Sequence, residues 1–281
     1  MSIVINNNIA SLIAQRNLSN NTQNLTKSIE KLSSGYRINR AADDAAGLSI
    51  SESLRSQIRG NKQAINNIQD GINLLQIAES GISVINENLQ RVRELCIQAA
   101  NDTNGSVERN SILSEINARL ADINRISKST KFNNISLLDG TASNTLLQIG
   151  ANAVTSTSTI DVSTVLSSTT VTSIGISLSI TGATWNSTRI RSYLVQLDTA
   201  LSSVLTKRSN IGALQNRLES ALENLNVMNE NLQSSESRIR DLDIAKETAS
   251  MTKFQILQQA SASVLSQANQ IPSLALSLLR S

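Results

Sequence analysis

The chain has 281 residues, 40% of them apolar, with 25 basic and 22 acidic side chains for a net charge of +3. It has two Phe, two Tyr, one Trp, one Pro, one Cys and no His, so its core must come from Ile, Leu, Val and Ala rather than aromatic bulk. The missing histidine excludes HExxH metalloproteases, Ser-His-Asp triads and Cys-His dyads. A lone cysteine excludes an internal disulfide or a Cys-rich zinc site. The weak, mixed charge and scarce aromatics argue against a nucleic-acid interface. No apolar run approaches the roughly 18 residues of a membrane span. The N-terminus has no apolar stretch after a basic one, so no cleaved signal peptide is expected. Catalysis, cofactors and metals are not expected, and the charge-poor, amide- and hydroxyl-rich surface favours association with copies of the same chain.

Leu18, Thr22, Leu25, Ile29 and Leu32 recur at alternating steps of four and three, a heptad line that calls for a partner helix. Ser33-Ser34-Gly35 interrupts it with turn chemistry. Arg37 to Ala46 then mixes charges, and Arg40 stands three and four residues before Asp43 and Asp44, the spacing of helix neighbours. A long helix is predicted from about Asp43 to Asn101. Ile65, Ile68, Ile72, Leu75, Ile82 and Leu89 carry its apolar line, with Glu79 and Asn86 as polar members. Gly47, Gly60, Gly71 and Gly81 lie inside it, each costing up to about 1 kcal/mol, which calls for close backbone packing in return. At about 1.5 Å per residue this helix is a rod close to 90 Å long, so an elongated molecule is expected.

Asn101-Asp102-Thr103-Asn104-Gly105 reads as a loop, and Ile112, Leu113, Ile116, Leu120 and Ile123 mark the next helix. From Gly140 to Thr188 the only charge is Asp161. Leu146, Leu147 and Ile149 predict a strand ended by Gly150. The alternation of Ile174, Ile176, Leu178 and Ile180 predicts another. Helical periodicity returns after Trp185 through Ile211, Leu214, Leu218, Leu222, Leu225 and Leu232, up to about Ile239. Arg238 to Asp243 mixes charges much as residues 37–44 do. A last helix carries Phe254, Leu257, Val264, Ala268 and Ile271 and is expected to break at Pro272. Neither terminal line is long enough to stand alone, so the simplest arrangement pairs them with each other. The expected fold is mainly α: a long antiparallel coiled-coil or bundle rod with a small central β-hairpin region. Residues 1–42 with 236–281 form a terminal coiled-coil domain. Residues 43–235 form an elongated helical domain with a Ser/Thr-rich β insert at about 140–184.

Leu32-Ser-Ser-Gly-Tyr-Arg-Ile-Asn39, continuing through Ala41-Ala-Asp-Asp-Ala-Ala-Gly-Leu-Ser49, closely resembles the N-terminal signature of bacterial flagellins. Gln90-Arg-Val-Arg-Glu-Leu95, Phe132-Asn-Asn-Ile-Ser-Leu-Leu-Asp-Gly140 and Leu147-Gln-Ile-Gly-Ala-Asn152 are similar to three further blocks of that family, in its usual order. Arg238 to Asp243 and Gln270 to Leu279 complete the set, which covers roughly residues 1–152 and 184–281. The resemblance implies a structural subunit of the helical flagellar filament that serves motility. In this family the paired ends line the central channel, the inner helices form a shell and the variable centre faces outward. With a centre of about 45 residues, large outer domains are expected to be absent.

By the same resemblance the filament-core assembly seam comprises Leu18, Leu25, Ile29, Leu32, Phe254, Leu257, Val264 and Ile271. The charge cluster Arg37, Arg40, Asp43 and Asp44 either fixes the register within or between subunits or is a solvated linker. Gln90, Arg91, Leu95, Gln98 and Glu115 match the family's subunit interface, which is also the face that the vertebrate innate receptor TLR5 binds on monomers. Implied partners are further copies of the chain, the flagellar export machinery with a chaperone, the filament cap and the hook-junction proteins. The implied location is the secreted, extracellular filament. Cys96 reads as a small buried hydrophobe, with a reactive thiol as the alternative. The Ser/Thr-rich centre fits either O-linked sugars or bare turns. The rivals are a hook–filament junction protein and, from another class, a coiled-coil adaptor or needle-like secretion subunit.

Overall fold

The computed structural model describes residues 7–142, 145–152, 154–176 and 186–280, with the side chains of residues 155–156 and 272–280 excepted. Five long helices carry the described chain: α1 Ile9–Ser34, α2 Ala45–Ala99, α3 Ser106–Ser129, α5 Ser187–Arg240 and α6 Ile244–Arg280, with the four-residue α4 at Thr155–Ser158. The strands are β1 Lys131–Phe132, β2 Ile135–Ser136, β3 Leu146–Gln148 and β4 Thr159–Asp161. Side chains start the helices. Asn8 accepts the amide of Ser11, Asp44 that of Gly47, Asn186 that of Arg189 and Asp243 that of Lys246, each satisfying an amide that has no partner inside its helix. Gly35 ends α1 in the left-handed conformation, φ 74°, its amide returning to Lys31, as a helix C-cap requires.

Two compact units divide the chain at 56/57 and 230/231. The first holds the paired ends. Helices α1 and α6 run antiparallel, and their Cα traces come within 8 Å of each other. The line that α1 turns inward is Ser11, Ala14, Leu18, Asn21, Leu25, Ser28 and Leu32; that of α6 is Met251, Phe254, Gln258, Ser261, Leu265 and Ala268. Both lines keep the alternation of three and four that a coiled coil needs. This differs from the apolar reading of the sequence. Asn21 and Ser28 stand where Thr22 and Ile29 were expected. On α6 Gln258 and Leu265 stand where Leu257 and Val264 were, and Ser261 joins the line between them. The physical reason is the close approach: small side chains permit it, and polar ones bond across it. The Asn21 amide donates to the Ser261 hydroxyl at 2.9 Å and that of Gln258 to Thr22 at 3.1 Å. Asn8 and Ser11 reach Ala268 and Asn269 at 2.8 and 2.7 Å.

The second unit, Gln57–Glu230, owes its core to one unbroken heptad line on α2. Asn61, Ala64, Ile68, Gly71, Leu75, Ala78, Ile82, Ile85, Leu89, Val92, Cys96 and Ala99 are all buried. Helix α5 keeps the same alternation from Ile190 through Tyr193, Leu197, Ala200, Val204, Ile211, Leu214 and Leu218 to Leu225, and α3 adds the predicted Ile112, Leu113, Ile116, Leu120 and Ile123. Two of the α2 glycines sit where other segments press on the helix. A Cβ at Gly81 would lie 2.8 Å from Leu138 and from Thr130, and one at Gly71 would overlap Leu147. Their helix-propensity cost of about 1 kcal/mol each accompanies contacts that no larger residue allows.

The central region holds two short antiparallel pairs, β1 with β2 and β3 with β4. Asn133 and Asn134 turn the first at φ 43° and 68°, the conformation that asparagine tolerates in tight hairpins. The strand predicted at Leu146 is present, and its partner β4 went unread. Ile174 and Ile176 are corrections: Ile174 lies in a turn and Ile176 just beyond it, and both are buried, because alternation over so short a span also fits a coil that dips twice into the core. Leu178 and Ile180 lie outside the described residues. Pro272 is a second correction, since α6 continues through it to Arg280. A proline removes one amide donor and can kink a helix without ending it.

Leu89 has no exposed surface and sits mid-line in the α2 stripe. Leu89→Ala is expected to cost about 2–5 kcal/mol, read as a lower urea midpoint with an unchanged slope.

Candidate assembly surfaces

Pairing α1 with α6 through small and polar residues leaves large apolar side chains pointing away from the pair. On α1 these are Ile9, Leu12, Ile13 and Ile29, with Leu12 63% and Ile29 48% exposed. On α6 they are Ile244, Ile256, Leu257, Val264 and Ile271, with Ile256 61% and Val264 54% exposed. Of the eight seam residues predicted from the sequence, Leu18, Leu25, Leu32 and Phe254 line the α1–α6 contact, while Ile29, Leu257, Val264 and Ile271 face outward. Scattered exposed leucines need no explanation, but rows of them along two adjacent helices mark a surface that binds something.

Residues 35–37 and 239–242 are clipped together at the base of this pair. Tyr36 bridges Asp241, the Arg37 amide donates to the Arg240 carbonyl at 2.7 Å and the Leu242 amide to that of Gly35 at 3.1 Å. Arg37 also reaches the Ile239 carbonyl through its guanidinium at 2.5 Å. Arg240 lies 4.7 Å above the Tyr36 ring and donates to Glu52 at 2.6 Å. That bond holds the Glu52 carboxyl below its ordinary range. Three residues here, Tyr36, Glu52 and Arg240, were not singled out from the sequence. The charge mixture at 238–243 was the available signal for Arg240.

The predicted helix pairing of Arg40 with Asp43 and Asp44 is corrected, because residues 36–44 are not helical. Arg40 pairs with Glu30 at 2.7 Å. Asp43 instead accepts the backbone amides of Arg40 and Asn39 at 3.1 and 3.2 Å, which hold its carboxyl below the usual range, the Arg40 amide most of all. Asp44 caps α2. These are turn-forming contacts, and the exposed Arg40–Glu30 pair is worth under about 1 kcal/mol.

On the Gln90 to Gln98 stretch of α2, Gln90, Arg91 and Gln98 are exposed. Arg91 donates to Glu94 at 3.0 Å and, across to α3, to Glu115 at 3.4 Å; Glu94 first and then Glu115 hold it more firmly charged. Leu95 turns the other way, 2% exposed, into the core, so this face is presented by Gln90, Arg91, Gln98 and Glu115. Cys96 beside it is fully buried, and burial pushes its thiol up to about 12 from 9.0. The small-hydrophobe reading of Cys96 fits this environment. Among the described residues no group of histidine, cysteine or carboxylate side chains could hold a metal, and no helix is long and apolar enough to cross a membrane.

Cys96 should resist an aromatic disulfide reagent in the folded chain and react in denaturant. Because the folded thiol keeps its proton longer than the unfolded one, unfolding releases a proton above pH 9, and this residue's share of stability should fall as pH rises from about 9 towards about 12. Cys96→Ser, whose hydroxyl does not titrate there, should flatten that part of the pH–stability curve.

Comparison with known proteins follows this layout. Residues 5–143 match the family described as the bacterial flagellin N-terminal helical region, and residues 194–279 the bacterial flagellin C-terminal helical region. The chain is 44% identical to a flagellin of Halalkalibacterium halodurans, over 99% of this chain and all of that one. It is 42% identical to a flagellin of Bacillus subtilis, over 98% and 99%. A flagellar filament 33 kDa core protein of Treponema phagedenis is 40% identical over 99% of this chain and all of its own length.

Proposed function

The chain belongs to the bacterial flagellin family and is a structural subunit, not an enzyme, of the homopolymeric flagellar filament, and on that premise we propose how its surfaces divide the work of assembly. Residues 1–42 and 236–281 form the inner core, and residues 43–235 form the surrounding shell, with the insert at about 140–184 facing outward. In the filament the outward apolar rows of α1 and α6 are covered by the same helices of neighbouring copies. The observation that carries this reading is the division of labour on those helices. Ala14, Ser28 and Ser261 serve the pairing within the chain, which leaves Leu12, Ile29, Ile256, Leu257 and Val264 for contacts between chains. At about 25 cal/mol per Å² of apolar surface removed from water, covering such rows in every subunit is a large driving force for polymerisation.

The clip at Tyr36, Arg37, Glu52 and Arg240 sets the register of the paired ends, and Arg40, Asp43 and Asp44 shape the turn that leads into α2. The chain is exported through the flagellar secretion machinery, escorted by a chaperone. It is added at the distal tip beneath the filament cap, on a base of hook-junction proteins, and its final place is extracellular. Gln90, Arg91, Gln98 and Glu115 form a face buried between subunits in the filament. On the monomer the same face is open to a receptor of the TLR5 type.

The test is seeded elongation. Monomer mixed with short sheared filament fragments at neutral pH should grow long filaments visible by negative-stain electron microscopy. Val264→Asp, which places a charge on the outward row and leaves the α1–α6 seam intact, should abolish elongation with unchanged helical circular dichroism. Elongation at the wild-type rate by this variant would refute the assignment of the row. Wild-type monomer that stays soluble beside unextended seeds would favour the junction-protein reading.

A further inference from the structure

Asn104-Gly105 is the one Asn-Gly dipeptide in the sequence, and the fold places it in the short loop between α2 and α3 rather than in a helix. Glycine after asparagine matters because the missing Cβ lets the backbone nitrogen approach the preceding side chain. Three further features bear on this pair. Gly105 is the N-cap of α3, and no side chain caps that helix, so its amide belongs to the orphan donors of the helix start. Among the described residues that amide donates to no acceptor. The positive end of the α3 dipole lies at the same point and works against the Glu108 carboxylate, whose oxygen would stand 2.6 Å from a Cβ at Gly105. The Asn104 side chain is held in place, its Nδ2 donating to the Gln98 carbonyl at 2.7 Å while its own amide returns to Asn101 at 3.2 Å.

We infer that Asn104 is a site of spontaneous deamidation in the folded protein, independent of the filament reading. The Gly105 nitrogen, after giving its proton to solvent base, attacks Cγ of Asn104. The new C–N bond closes a five-membered succinimide, and the bond from Cγ to Nδ2 breaks as Nδ2 takes up a proton and leaves as ammonia. Water then opens the ring. Opening at Cγ gives aspartate, and opening at the backbone carbonyl gives isoaspartate. Nothing is oxidised or reduced, and water is the only co-reactant.

The product changes the loop. The lost Nδ2 was the donor to Gln98, one of the last carbonyls of α2, and the carboxylate that replaces it has no proton to share. Isoaspartate also lengthens the main chain by one carbon immediately before Gly105, whose carbonyl accepts the Arg109 amide at 3.1 Å to open α3. A new negative charge arises beside Asp102, which already holds Arg109 at 3.0 Å. The modification therefore releases the tie between the end of α2 and the start of α3.

The full-length chain is incubated in mildly acidic and mildly alkaline buffer at physiological temperature. The tryptic peptides from Glu94 to Arg109 and from Asn110 to Arg119 are then read by mass spectrometry, with isoaspartate separated from aspartate. Conversion at Asn104 should outpace that at Asn101 and Asn110 and rise with pH, with isoaspartate among the products. Gly105→Ala is a mild control, since its Cβ would meet only the mobile end of the Glu108 side chain; it should slow the reaction roughly tenfold, because the added methyl blocks the approach of the nitrogen. Conversion no faster at Asn104 than at Asn101 and Asn110, an unchanged rate in Gly105→Ala, or reaction confined to chain unfolded in denaturant would each overturn the inference.

Discussion

The close pairing of the two chain ends is the constraint that decides which side chains of α1 and α6 are left at the surface. A helix presents a limited circumference. When α1 and α6 approach through Ala14, Ser28, Ser261 and Ala268, the face they share is used up by small side chains and by the Asn21–Ser261 and Gln258–Thr22 hydrogen bonds. The isoleucines, leucines and valine of both helices are then left on the outside. Burial of apolar surface drives association but does not choose a geometry, whereas hydrogen bonds between polar residues at heptad positions do fix register. Polar contacts thus set how the ends of one chain meet, and the apolar rows stay exposed on the outside of the pair.

The same economy appears at the clip near residues 35–37 and 239–242. Two backbone hydrogen bonds, an arginine stacked on a tyrosine ring and a carboxylate at 2.6 Å join stretches that lie two hundred residues apart in sequence. Each contact is modest in free energy, and together they allow one alignment of the chain ends. The Gly35 C-cap is part of this device. A side chain there would resist the left-handed turn that brings Tyr36 and Arg37 against residues 239–242.

In the unit from Gln57 to Glu230 the core is made almost wholly of aliphatic side chains, with Tyr193 the one aromatic buried among the described residues. Twelve consecutive heptad positions on α2 are buried, and the line mixes large residues with Ala64, Gly71, Ala78 and Ala99. At Gly71 the small residue is where another segment comes close, the Leu147 side chain. Cys96 occupies one of these positions and behaves as its neighbours do. Its thiol serves as apolar volume, and burial removes the thiolate that reactivity would need.

Long helices, their order and the turns between them were legible from the sequence because periodicity persists over many turns, and a long repeat averages out individual exceptions. That held for α2, where Ile68, Leu75, Ile82 and Leu89 kept the period, and for α3 and α5. Six motif blocks in order also fixed the family. What the sequence left undecided was which side of a heptad faces which partner. Thr22 against Asn21 and Leu257 against Gln258 differ by one position, and hydrophobicity prefers the wrong member when the true contact is small and polar. The pairing of Arg40 with Glu30, the turn contacts of Asp43, the capping by Asp44, and the inward turn of Leu95 were likewise decided by the tertiary structure. Local spacing determines what a segment can become, but which atoms meet depends on segments far away in the chain.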